Sequence, residues 1–195
     1  DINGPRIHSF GGNLSLSGTL GYEPAEPGAN RAIVTNAITI ASATGIHSEG
    51  TDNTLELTGG ITGSGAITKT GTGTLVLSGN SPAYAASISV NQGPLEVNGN
   101  LASASIQISS GNTLRGSGST GAISGSGIVA PHLTQLTAVS SSASDYDFVL
   151  AQTGSSGNSV LRLTGGNPLP TAPATLDLFI DRPTCTTGEH FTGGI

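Results

Sequence analysis

Leu55-Glu56-Leu57, Leu75-Val76-Leu77 and Leu95-Glu96-Val97 stand twenty residues apart, and Leu114 follows nineteen later. Between these triplets lie Gly, Asn, Ser and Thr. A looser series runs through Ile38-Thr39-Ile40, Ile67, Ile88-Ser89-Val90, Ile106-Gln107-Ile108 and Ile128-Val129. Apolar residues two apart share one face of a strand. Self-similarity near twenty residues marks a solenoid, in which each repeat is one coil whose apolar side is covered only by its neighbours. The spacing predicts an all-β fold, with Leu55, Leu57, Leu75, Leu77, Ile88, Val90, Leu95, Val97, Ile106 and Ile108 stacked in the core. Four inward aliphatic side chains supply a coil with roughly 6–12 kcal/mol gross. Ordering its twenty or so residues costs at least that much. One coil alone is therefore unstable, and stacking must provide the difference.

Composition supports the same reading. The 195 residues include 30 Gly, 35 % are hydrophobic and only 9 % are charged, with a net charge of -6. Disorder would pair low hydrophobicity with high charge. Here β-branched residues are plentiful, and Gly and Asn supply cheap turns. No stretch carries the 3.6-residue period of an amphipathic helix. Six basic residues cannot build a phosphate-tracking surface, so nucleic acid is not an expected partner. No apolar run approaches the ~20 residues of a membrane-spanning helix. The chain contains no Met and opens at Asp1, which suits a mature segment whose export signal has been removed.

Texture divides the chain into four stretches. Residues 1–32 hold one strand candidate, Leu14-Ser15-Leu16, and a loop with Pro24 and Pro27 that cannot continue a central strand. Residues 33–131 carry the repeat. Residues 132–144 read as a Ser/Thr/Ala connector. In 145–195, Tyr146, Phe148 and Leu150 alternate with polar residues, as do Leu161 and Leu163, and Leu176, Leu178 and Ile180. This last stretch predicts a small antiparallel sheet or sandwich that continues or caps the solenoid. An uncapped coil exposes unpaired backbone.

Gly73-Thr74-Leu75-Val76-Leu77-Ser78-Gly79-Asn80, then Tyr84, then Gly93-Pro94-Leu95-Glu96-Val97-Asn98-Gly99 resembles the autotransporter-associated β-strand repeat. In that family a Gly-Thr-Leu-x-Leu-Ser-Gly half precedes a Gly-Thr-Leu-x-Val-Asn-Gly half. Gly127-Ile128-Val129-Ala130-Pro131 resembles its closing stretch. The likeness covers about residues 63–131. Pro94 stands in place of the usual Thr, Ala85 follows Tyr84 where Thr or Gly is common, and His132 replaces the final Gly. The resemblance implies a right-handed parallel β-helix displayed on a bacterial surface or outside the cell, with no catalytic residues in the repeat itself. The long alternating strands of a translocator barrel are not seen in this chain.

Motifs of chemistry are sparse. Asp145 and Asp147 share a strand face and could hold Ca²⁺ or act as an acid/base pair. The alternation instead turns Tyr146, Phe148 and Leu150 inward and leaves both carboxylates in solvent. Asp177 reads the same way beside Leu176 and Leu178, as does Asp181. Gly59-Gly60-Ile61-Thr62-Gly63-Ser64-Gly65 has no Lys at phosphate-loop spacing and reads as turns. The Ser-centred Gly116-Ser117-Gly118 and Gly125-Ser126-Gly127 read as coil corners rather than a strand-to-helix nucleophile elbow. His8, His47, His132 and His190 have no metal-ligand spacing. Asn13-Leu14-Ser15 matches a glycosylation sequon or an ordinary turn. Cys185 is the single cysteine, either a buried thiol or one end of an intermolecular bridge.

No enzyme and no cofactor is expected from these residues. The reading that follows is an exported structural subunit stacking head-to-tail on copies of itself into a filament or surface layer. Leu14, Leu16, Phe148, Leu178, Ile180, Cys185 and Phe191 are the candidates for its junctions. An adhesin binding surface glycans is the alternative, although Trp is absent and Tyr22, Tyr84 and Tyr146 are isolated. A polysaccharide lyase or hydrolase would need grouped Asp, Lys and Arg, and Lys69 and Arg115 lie far apart in the chain.

Overall fold

A computed structural model describes residues 6–8, 12–25, 28–131, 135–150, 160–164 and 175–180. Described residues form strands, turns and bends with no helix, and every strand pairing is parallel. The chain winds into a β-solenoid with three faces per coil.

The first face climbs through Arg6–His8, Arg31–Val34, Thr54–Leu57, Thr74–Leu77, Leu95–Val97 and Thr113–Arg115. Leu55, Leu75, Leu95 and Leu114 are register partners in this ladder. The second face begins with Leu14–Leu16, Ile38–Ile40 and Ile61–Gly63. The third holds Thr19–Tyr22, Thr44–Ser48, Ile67–Thr70, Ile88–Val90 and Ile106–Ile108. The looser isoleucine series therefore mixes three ladders. Ile38 and Ile40 lie on the second face, Ile67, Ile88 and Ile106 on the third, and Val129 pairs with Leu114 on the first. Each face presents a similar short triplet of two aliphatic residues flanking one other, so periodicity alone does not separate them.

Coils shrink from the N-terminal end as far as Val129. On the first face Ile7 pairs with Ile33, 26 residues on, and Ile33 pairs with Glu56, 23 on. Twenty residues separate Leu75 from Leu95, but only fifteen separate Leu114 from Val129. A fifteen-residue coil leaves nothing for corner loops. Ser119–Val129 is accordingly one bent strand that pairs with all three faces of the coil before it. Its last corner is a register shift between Gly125 and Ile128, a bulge that bends a strand without leaving the sheet. Gly125-Ser126-Gly127 is thus part of a strand rather than a turn. At Gly125, φ is 111° and an added Cβ would lie 2.1 Å from the Ile108 carbonyl oxygen. Ile61–Gly63 is likewise a strand within a run that reads as turns.

The C-terminal strands correct the expected antiparallel sheet. Gln135–Leu150 stacks parallel on Ser119–Val129, Val160–Leu163 pairs parallel with residues 135–138, and Thr175–Ile180 pairs parallel with 145–150. Strict alternation identifies one dry face per strand but not chain direction. The partners Leu136 and Leu161 are 25 residues apart, and Tyr146 and Leu176 are 30 apart, enough for a full return around the coil. Residues 135–144 are strand, not connector.

All ten of the aliphatic residues singled out for the core are buried at 0–2 % exposure. The two leucine columns of the first face meet the isoleucine columns of the other faces in one cluster, joined by Ala32, Val34, Leu101, Ile123 and Leu136. One corner of the rod is a column of glycines. Gly79 would place a Cβ 2.1 Å from the Gly59 carbonyl oxygen, Gly99 the same distance from that of Gly79, and Gly118 the same from that of Gly99. Side chains there would hold the coils apart.

Candidate functional site

Three places carry more than packing: the two ends of the rod, the outer surface of the first face, and the corner after the third face. At the N-terminal end Leu14 and Leu16 are half-buried, whereas Ile38 and Ile40, their partners one coil on, are fully buried. Leu20 and Tyr22 are also half-buried against the core. At the other end Leu161 and Leu163 are half-buried, while Leu136 and Ala138 beneath them are fully buried. Of the candidate junction residues, Phe148, Leu178 and Ile180 lie in the paired strands 145–150 and Thr175–Ile180, where Phe148 is the register partner of Leu178. Cys185, Phe191, His190 and Asp181 lie outside the described residues, as do His132 and Pro27. The side chains of Asp145, Asp147, Asp177 and His8 also lie outside them.

The outer surface of the first face bears two ion pairs that the sequence does not advertise. Arg31 pairs with Glu56 from the preceding coil, and Arg115 Nε donates to Glu96 Oε2 at 3.0 Å from the following one. Ser78 Oγ donates to Glu56 Oε1 at 2.6 Å, and Asn98 Nδ2 donates to Glu96 Oε1 at 2.7 Å. Burial alone would raise the Glu56 carboxyl. The Ser78 hydroxyl and the Arg31 guanidinium outweigh it and hold the pKa below the ordinary carboxylate value. Arg31, Thr54, Glu56, Thr74, Val76, Glu96, Asn98 and Arg115 enclose a groove of about 240 Å³. Both glutamates belong to the twenty-residue pattern, and Glu56 and Glu96 occupy one outward column with Val76 between them. A twenty-residue register applied to the charged residues would have found them.

The third face ends at a corner with a buried cation. Lys69 takes the inward position between Ile46 and Val90 and is wholly buried. Its Nζ donates to the carbonyl oxygens of Gly71 at 2.7 Å, Gln92 at 2.8 Å and Thr70 at 3.0 Å. Burial pushes its pKa down to about 8, against an opposing pull from Glu49. Outside this corner His47 Nε2 lies 3.2 Å from a Glu49 carboxylate oxygen and 3.8 Å from one of Glu23. Among the described residues no group of three His, Cys, Asp or Glu side chains is arranged to hold a metal ion.

Tyr84 is fully buried, donates to the Gly65 carbonyl oxygen at 2.7 Å, and has its pKa pushed up to about 12 by burial. Tyr146 is 4 % exposed and bonded to the Ser141 hydroxyl at 2.8 Å. Neither ring offers a stacking platform at the surface. No known family model matches the chain, and neither a curated protein nor a solved structure matches it. Among the described residues no helix is long and apolar enough to cross a membrane.

Proposed function

We propose that this chain is an exported structural subunit whose solenoid stacks head-to-tail on copies of itself, forming an extracellular filament or surface layer. The observation that carries this reading is the state of the two ends. Inward leucines at Leu14 and Leu16, and again at Leu161 and Leu163, are half-covered where the same columns inside the rod are sealed. Among the described residues, Leu14–Leu16 pairs only with Ile38–Ile40, and Val160–Leu163 only with residues 135–138. A parallel sheet edge is a template for a further strand. Because the two ends are different surfaces, their contact is heterologous and propagates unless it closes into a ring.

The faces also correspond. Among the described residues, Val160–Leu163 is the last strand of the second face whose first is Leu14–Leu16, and Thr175–Ile180 is the last strand of the first face whose first is Arg6–His8. A second copy set on top would continue both ladders in one direction. The Gly-, Ser- and Thr-rich composition with a single cysteine, and the likeness to a bacterial surface repeat, support a place outside the cell.

Negative-stain microscopy and sedimentation of the purified chain test the proposal, with Leu16→Lys as the comparison. Filaments that vanish in Leu16→Lys are expected, since burying an unpaired ammonium at the junction is prohibitive. A wild-type chain that stays a monodisperse monomer at high concentration would reject the reading.

A further inference from the structure

On the first face Thr74 and Val76 point outward, yet each is only 6 % exposed. Among the described residues no second layer of structure packs on them. Their cover comes from the coils on either side, where Arg31 leans inward to Glu56 and Arg115 leans inward to Glu96 and, at 3.4 Å, to the Thr74 hydroxyl. The result is the groove of about 240 Å³, with an aliphatic floor at Val76 and a carboxylate beside a guanidinium on each wall.

We infer that this groove binds a neutral polyhydroxylated ligand, a short segment of hexose polysaccharide. The argument is one of complementarity. Two arginines and two glutamates leave the walls with no formal net charge. An anionic ligand would meet Glu56 and Glu96, and a cationic one would meet Arg31 and Arg115. An apolar ligand would bury both ion pairs without new partners, at a desolvation cost. A sugar hydroxyl both donates and accepts. A vicinal diol therefore satisfies a carboxylate and a neighbouring guanidinium together.

The donors remain in reach. The Arg31 and Arg115 side chains are 49 % and 40 % exposed, and a guanidinium has five N–H groups, more than its carboxylate consumes. Asn98 is exposed at the rim, already bonded to Glu96. Glu56 and Glu96 stand two rungs apart, roughly 10 Å, so a ligand running along the rod axis can engage both walls. This site is independent of end-to-end assembly.

The test is a printed array carrying neutral glucose, mannose and galactose tetrasaccharides beside oligogalacturonate, sulfated heparin and chitosan tetramers. Solution titration of the full chain with the best neutral tetramer follows. Saturable binding of at least one neutral class is expected, weakened about tenfold or more in Val76→Lys, which fills the floor, and measurably in Asn98→Ala. Thermal melts report whether each variant folds, and Asn98→Ala carries the test alone if Val76→Lys does not. Binding confined to charged tetramers, no binding at millimolar concentration, or neutral binding unchanged in the folded variants would overturn the inference.

Discussion

Lys69→Met should abolish the alkaline rise in stability. Lys69 is the chain's one lysine, and it interrupts an inward column between Ile46 and Val90. Burial lowers its pKa from the ordinary 10.5 to about 8. The folded state therefore binds this proton more weakly than the unfolded chain. Below pH 8 both states are charged and the fold bears the full cost, roughly 3 kcal/mol for that displacement. Between pH 8 and about 10.5 the folded chain gives up its proton while the unfolded chain keeps it. Stability then rises with pH, by at most ~1.4 kcal/mol per pH unit. Met keeps the length and packing of the stem and carries no charge. Urea unfolding from pH 7 to 10 should show a rise of about 2–3 kcal/mol in the wild type that is missing from Lys69→Met. Every other ionisable group is common to the two chains, so the comparison isolates Lys69. Equal slopes in the two would refute the burial of this ammonium.

Gly79→Ala should cost about 3 kcal/mol and lower the melting temperature sharply, because its Cβ would lie 2.1 Å from the Gly59 carbonyl oxygen and the coils cannot part without breaking their ladder. A corner with free space would instead gain slightly from the same change. Tyr84→Phe should cost roughly 1–3 kcal/mol at neutral pH by leaving the Gly65 carbonyl without its donor. Wild-type stability should also fall above pH 10, where the unfolded chain loses the tyrosine proton that the fold retains up to about 12. Tyr84→Phe should weaken that fall, read by the same urea series carried to higher pH.

The first face was legible because three conditions coincide there. From Leu55 to Val97 its inward residues are all Leu or Val, its outward residues are mostly polar, and its coils hold a constant twenty residues from Leu55 to Leu95. The other faces were legible as strands but not as separate ladders, since corner lengths vary and nothing in an Ile-x-Ile triplet says which side of the rod it lines. The bent strand Ser119–Val129 was hidden because Gly-Ser-Gly signals a turn in an ordinary coil, and only in a coil too short for loops does it become a bulge. Lys69 sits in Ile67-Thr68-Lys69-Thr70, where a charged residue reads as solvent-facing. Its burial follows from its register with Ile46 and Val90, and from three carbonyl oxygens turned toward one corner. The groove was hidden for a related reason. Arg31 and Glu56 are 25 residues apart and Arg115 and Glu96 are nineteen apart, and they become neighbours only once coils are stacked. Glycan binding by tyrosine stacking, in contrast, loses its basis at Tyr84 and Tyr146, whose rings are in the core.

The most direct test of the stacked, parallel coil is a pair of cysteine cross-links in a Cys185→Ser background. Thr54 pairs with Thr74 and Glu56 with Val76, so both pairs keep an offset of twenty. Parallel rungs set such partners about 4.8 Å apart, within disulfide reach. Thr54→Cys with Thr74→Cys, and separately Glu56→Cys with Val76→Cys, should each oxidise to an intramolecular bridge. In an antiparallel ladder that joined 54 to 74, residue 56 would face Thr72 instead. Closure of the 54/74 and 56/72 pairs without 56/76, or of none of them, would contradict the solenoid.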